Sequence, residues 1–116
     1  MRHLVKTKKF HRKRDQRKAL FKILAHHLIM KEKIKTTTAK AKYLKRKVEK
    51  LITKAKKQDL STLRLLLSRL PKKSAYKLFY EIAPRYQERN GGYLRVVKLP
   101  LKRLKDGAEL SIIEFV

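Results

Sequence analysis

Apolar residues return every three or four positions through much of this chain, and each such run predicts a helix. Ala19, Leu20, Ile23, Leu24, Leu28 and Ile29 form the first stripe, on a helix opening at Gln16 with Asp15 as candidate N-cap. Ala41, Leu44, Val48, Leu51, Ile52 and Ala55 form a second, on a long helix over 39–57 that Thr37 or Thr38 can cap. Leu60, Leu63, Leu66, Leu67 and Leu70 line a third, begun by Asp59 or Ser61 and ended by Pro71. Ala75, Leu78, Phe79 and Ile82 line a fourth over 72–82, which Pro84 stops by removing a donor and disfavouring helix at the residue before it.

Elsewhere the period is different. EKIKTTT, residues 32–38, is β-branched and predicts a short strand, with Lys33 and Lys35 on the face opposite Ile34. Asn90-Gly91-Gly92 signals a turn, after which YLRVVKL (93–99) and ELSIIEFV (109–116) read as strands. The link 100–108 contains Asp106-Gly107 but is too long for a two-residue hairpin. The order is α-β-α-α-α-β-β. It predicts an α+β fold of two layers, helices packed on one face of a small three-stranded mixed sheet. The strand at 33–38 must pair with the C-terminal strands, because one hairpin alone is marginal.

Residues 1–14 show neither period and few apolar groups, so they read as a basic extended N-terminal arm; residues 15–116 read as a single globular domain. Charge then changes the picture. The chain of 116 residues carries 34 Lys and Arg against 9 Asp and Glu, a net +25, and residues 1–58 hold 22 of those cations with only 3 acids. Arg2 to Lys18 alone holds nine cations and one acid. Such a run repels itself and calls for a polyanion. The long helix bears Lys40, Lys42, Lys45, Arg46, Lys47, Lys50, Lys54, Lys56 and Lys57 with Glu49 as its only acid. A merely solvated helix would mix signs to gain i,i+4 pairs, so this surface reads as RNA-facing. Cations in the first turns of the first helix (Arg17, Lys18, Lys22) oppose its dipole unless a phosphate docks there.

The chemistry on offer is otherwise thin. There is no cysteine, no run of apolar residues long enough to span a membrane, and no secretory signal pattern. No acid pair, nucleophile motif or phosphate-binding glycine loop supports catalysis, and no cofactor is expected. His26 and His27, adjacent on a helix, point about 100° apart and lack a third ligand, so no metal is expected; His27 is placed at the core edge and His26 toward solvent or RNA. Binding of a polyanion remains. Arm residues Lys6, Lys8, Lys9, His11, Lys13 and Arg14 are candidate phosphate contacts, with Lys35 on the strand. Phe10, Tyr86 and Tyr93 are candidates to stack on bases, Tyr93 with packing as the alternative.

LFYEIAPRYQERNGGYLRVVKL, residues 78–99, resembles the signature of the bacterial large-subunit ribosomal protein L-seventeen family: LF-x-x-I-A-P-R-Y, a spacer, G-G-Y-x-R and an apolar strand ending in K-L. The opening Met1-Arg2-His3, the stretch HRKRDQRKALFKILAHHLI, the stretch IKTTTAKAKYLKRKVEKLITKAK and the final SIIEFV are similar to it as well, in one order along the chain. The resemblance implies a structural constituent of the large ribosomal subunit, sited on large-subunit rRNA near the nascent-chain exit tunnel. It implies RNA contacts from Arg2, His3, Arg12, Arg17 and Lys18, from Thr37 and Lys40, and from Arg85, Tyr86, Arg89, Tyr93 and Arg95. One departure stands out. Family members carry glycines in the arm around an R-K-L-G-R-like run, whereas residues 6–12 here read KTKKFHR.

The expected function is therefore binding and stabilisation of folded large-subunit rRNA by charge neutralisation and shape fit, without enzymatic activity. The alternative is a nucleoid-type, non-specific DNA-binding protein. Expected partners are large-subunit rRNA and neighbouring large-subunit ribosomal proteins. No membrane, small-molecule substrate or homo-oligomer within the ribosome is expected, and the location is the cytoplasmic ribosome.

Overall fold

The computed structural model describes residues 8–116. Arg2, His3 and Lys6 lie outside the described residues. Four helices and three strands follow in the predicted order: α1 (Arg14–Lys31), β1 (Lys33–Thr37), α2 (Thr38–Ala55), α3 (Leu60–Arg69), α4 (Lys72–Lys77), β2 (Leu94–Lys102) and β3 (Glu109–Phe115). The strands lie in the order β1-β3-β2, and both pairings are antiparallel. The sheet is therefore antiparallel throughout, not mixed. The last strand enters between the other two and runs against both.

Register sorts the sheet residues by face. Ile34 lies opposite Ile113, which in turn lies opposite Val96, while Lys35, Ile112 and Val97 share the other face. Ile113 is wholly buried and Ile34 and Val96 pack on the core, so the first face meets the helices. Lys33 and Lys35 point to the face away from Ile34, as read from the sequence. β2 runs on through Pro100 to Lys102, past the predicted end of its strand, with an irregularity between Lys98 and Lys102. Proline is tolerated there because β2 is an edge strand.

The core joins α2 to everything else. Ala41, Leu44, Val48, Leu51, Ile52 and Ala55, the predicted stripe, are all buried. So are Ala75, Leu78, Phe79 and Ile82. The first stripe is phased differently: Phe21, Ala25, Leu28 and Ile29 are buried, Leu20 and Leu24 half so, and Ala19 and Ile23 are exposed. Apolar residues lie on more than one side of α1, so spacing alone allowed a neighbouring phase; the ring of Phe21, against Tyr43 of α2 at 4.4 Å, decides it. Leu60 is exposed rather than inward.

Helix ends also differ from expectation in part. Asp59 caps α3 by accepting from the Thr62 N–H at 2.8 Å. α1 begins at Arg14, with Lys13 at the cap and no side-chain cap, so Asp15 sits in the first turn. α1 ends on Glu32 in the left-handed region (φ 63°), its N–H donating to the Leu28 carbonyl. After α4 the chain widens into a π-turn over Leu78–Ile82, then tightens into a 3-10 turn over Ala83–Tyr86. Pro84 does not stop the helical path; it occupies the start of the 3-10 turn, where a missing N–H costs nothing.

Candidate nucleic-acid interface

Thr38 is buried, and its hydroxyl shares a 2.6 Å hydrogen bond with that of buried Ser111 at the centre of the sheet. Thr37, at the cap position, makes no side-chain cap bond. Both threonines that the sequence offers as caps are thus withheld from the first N–H groups of α2. An uncapped end of an 18-residue helix carries the positive pole of its dipole.

That end opens into a groove of about 690 Å³ lined by Thr37, Thr38, Ala39, Lys42, Tyr43, Arg46, Lys47 and Lys50, with Lys8 from the arm and Ala108 and Glu109 from the hairpin. Arg46 and Lys50 also line a second hollow of about 510 Å³, which continues past Thr53 to Gly91, Gly92 and Tyr93. Five of the residues around the first hollow are Lys or Arg and one is acidic. None of those five cations forms an ion pair among the described residues. Ion pairs there use Lys33, Lys77, Arg85, Arg95 and Arg103 instead. Lys8, Lys42, Arg46, Lys47 and Lys50 meet a polyanion's needs: cations without carboxylate partners among the described residues, along a helix whose start has no side-chain cap.

The predicted contact residues separate into three groups. Lys8 and Thr37 line the groove. Lys9, His11, Lys13, Arg14, Lys18 and Lys22 are exposed along the arm and α1, Lys35 is exposed on the open face of the sheet, and Lys40 is half-buried on α2. Arg12 and Arg17 are half-buried and turn inward: Arg12 donates to the Phe10 carbonyl at 2.8 Å, and Arg17 to the Arg12 carbonyl at 3.4 Å. Arg89 holds the glycine turn, donating to the Gly91 carbonyl at 3.3 Å. Arg85 pairs with Glu32, and Arg95 with Glu114.

Of the aromatic candidates, Tyr93 takes the packing alternative and Tyr86 packs with it. Tyr86 and Tyr93 are buried, their rings 5.4 Å apart. The Tyr86 hydroxyl donates to the Val116 carbonyl at 2.8 Å, and burial pushes its pKa up. The Tyr93 hydroxyl accepts from Lys56 at 3.0 Å, and that bond holds its pKa below the usual value. Phe10 packs on Phe21 and Tyr43. Burial leaves the Tyr86 and Tyr93 rings packed in the core, and Phe10 is half-buried. The histidines are also reversed: His27 is exposed, while His26 is half-buried with its Nδ1 buried and without a hydrogen-bond partner.

Sequence reading marked the α2 cations as RNA-facing but carried only Lys40 into its set of contact residues. Lys42, Arg46, Lys47 and Lys50 lie at i, i+4, i+5 and i+8, opposite the apolar stripe, a spacing that places them along one side of the helix. Counting from the stripe would have found them.

The family profile described as Ribosomal protein L17 matches residues 20–116. A protein of Sulfurihydrogenibium sp. named large ribosomal subunit protein bL17 is 54% identical over 100% of this chain and 97% of its own length. Proteins of the same name from Hydrogenobaculum sp. and Persephonella marina are each 56% identical over 100% of this chain, covering 99% and 95% of their lengths. With similarity along the whole length, the chain belongs to the ribosomal protein L17 family, a family of ribosomal structural proteins rather than enzymes.

Proposed function

We propose that this protein is a structural constituent of the large ribosomal subunit that binds folded large-subunit rRNA in the cytoplasm, near the nascent-chain exit tunnel and beside neighbouring ribosomal proteins. The observation that carries the reading is the groove running from the start of α2, lined by five cations that form no ion pair among the described residues and opening on a helix end without a side-chain cap. Lysine supplies point charge and arginine a planar fork for phosphate, while a helix start without a side-chain cap favours an anion. The mechanism is neutralisation of phosphate with release of counterions, combined with the fit of an irregular surface to folded RNA. No bond is made or broken.

The test is a salt titration of binding to protein-free large-subunit rRNA. Replacing Lys42, Arg46 and Lys47 together by Ala is expected to flatten the slope of log affinity against log salt by about 2–3, at roughly 0.7–0.9 per phosphate contact. An unchanged slope would show that the groove touches no phosphate. Competition against duplex DNA at the same salt separates this reading from a nucleoid role: equal affinities would favour DNA.

A further inference from the structure

Phe10 is where the arm meets the folded body. Its ring lies edge-on to Phe21 at 5.2 Å and to Tyr43 at 5.5 Å. Tyr43 lines the cationic groove, and so does Lys8, two residues before Phe10. The segment 9–12 closes as a turn in which the Arg12 N–H donates to the Lys9 carbonyl at 3.2 Å. Both central residues, Phe10 and His11, have φ 54°. Positive φ at both positions is the demand of a type I′ turn, usually met by Asn-Gly. Here neither residue is a glycine. Side chains in the left-handed region are strained, and such strain persists only where the surroundings over-determine it. Two contacts do so: the aromatic seat of Phe10 and the Arg12 guanidinium on the Phe10 carbonyl.

We propose that Phe10 is a positioning residue for RNA binding. Seated between Phe21 and Tyr43, it holds the turn closed and delivers Lys8 to the groove before RNA arrives. The inference rests on the reading of that groove as an RNA site. A segment ordered in the free protein loses less conformational freedom on binding, so affinity rises without any new contact. The groove cations set the salt dependence; the seat of Phe10 sets the affinity at any one salt.

The experiment compares the full chain with Phe10→Ala and Phe10→Leu, titrated with protein-free bacterial large-subunit rRNA across a salt series. It is run at a temperature where circular dichroism shows all three folded. Phe10→Ala is expected to lose on the order of tenfold in affinity at every salt, with the slope unchanged, because the bound state keeps its phosphates. Trypsin should cut free Phe10→Ala faster after Lys9 and Arg12. Phe10→Leu, which keeps an apolar anchor, should recover most of the affinity. Equal affinity for wild type and Phe10→Ala would make Phe10 a core residue only and overturn the proposal. A slope reduced by one contact or more would mean the arm leaves the RNA altogether, which also overturns it. Loss of salt-dependent binding in the wild type itself would instead remove the RNA reading of the groove, and the proposal with it.

Discussion

Cations lining the groove differ from five on the sheet and the 77–106 stretch in one respect: those five have carboxylates. Lys77 and Arg85 converge on Glu32, Lys33 and Arg95 on Glu114, and Arg103 on Asp106. Lys8, Lys42, Arg46, Lys47 and Lys50 converge on a groove instead. A paired guanidinium closes the fold, here tying the end of α1 to the turns after α4. An unpaired one raises the potential of the surface and waits for an external anion. Residue type does not separate these roles, since Arg46 and Arg85 read alike in a sequence. The position of the nearest acid does.

Removing the element that both sets depend on has the largest expected effect. β3 lies between β1 and β2 and carries the wholly buried Ile113, so deletion of 109–116 should abolish cooperative thermal melting. A retained sharp transition would mean the helices stand without the sheet. Next comes the groove variant Lys42→Ala/Arg46→Ala/Lys47→Ala, with its flattened salt slope. Its stability should stay within about 0.5–1 kcal/mol of wild type, because these exposed side chains have no ion pair among the described residues and only Lys47 has a further contact, its ammonium 5.4 Å from the centroid of the Tyr43 ring.

Arg85→Ala should show the opposite profile. Both side chains of the Arg85–Glu32 pair are more than a third exposed, so water screens it and its loss costs no more than about 1 kcal/mol in a urea melt. The salt slope for RNA should not move; if it did, Arg85 would belong with the groove. Acid gives the smallest effect. The hydrogen bond from Arg85, with lesser help from Lys77, holds the Glu32 carboxyl below its usual pKa. The folded state therefore binds this proton less readily than the unfolded chain. The resulting stability is present above the unfolded carboxylate value of about 4.3 and fades as pH falls through the lower folded value. A plot of Tm against pH should be steeper on the acid side for wild type than for Arg85→Ala.

The helix stripes of α2 and α4 were legible because one face of each is buried against a continuous core, so spacing and burial coincide. The stripe of α1 was legible as a helix but not in phase, since exposed Ile23 and Met30 blur its apolar side. The charged side of α2 was visible as a pattern, yet the groove was not. It needs Lys8 and Glu109, distant in the chain, to stand around one helix end.

Local order therefore determined the elements, their sequence and the demand for a polyanion, because periodicity and like-charge repulsion act over a few residues. Pairing across the chain decided the rest. It made the sheet antiparallel throughout, took Thr38 from its helix for Ser111, and buried Tyr86 and Tyr93 away from any base. It also gave Arg85 a carboxylate and left Arg46 without one. Which partner a side chain meets is a matter of three-dimensional distance, and neither composition nor spacing contains that.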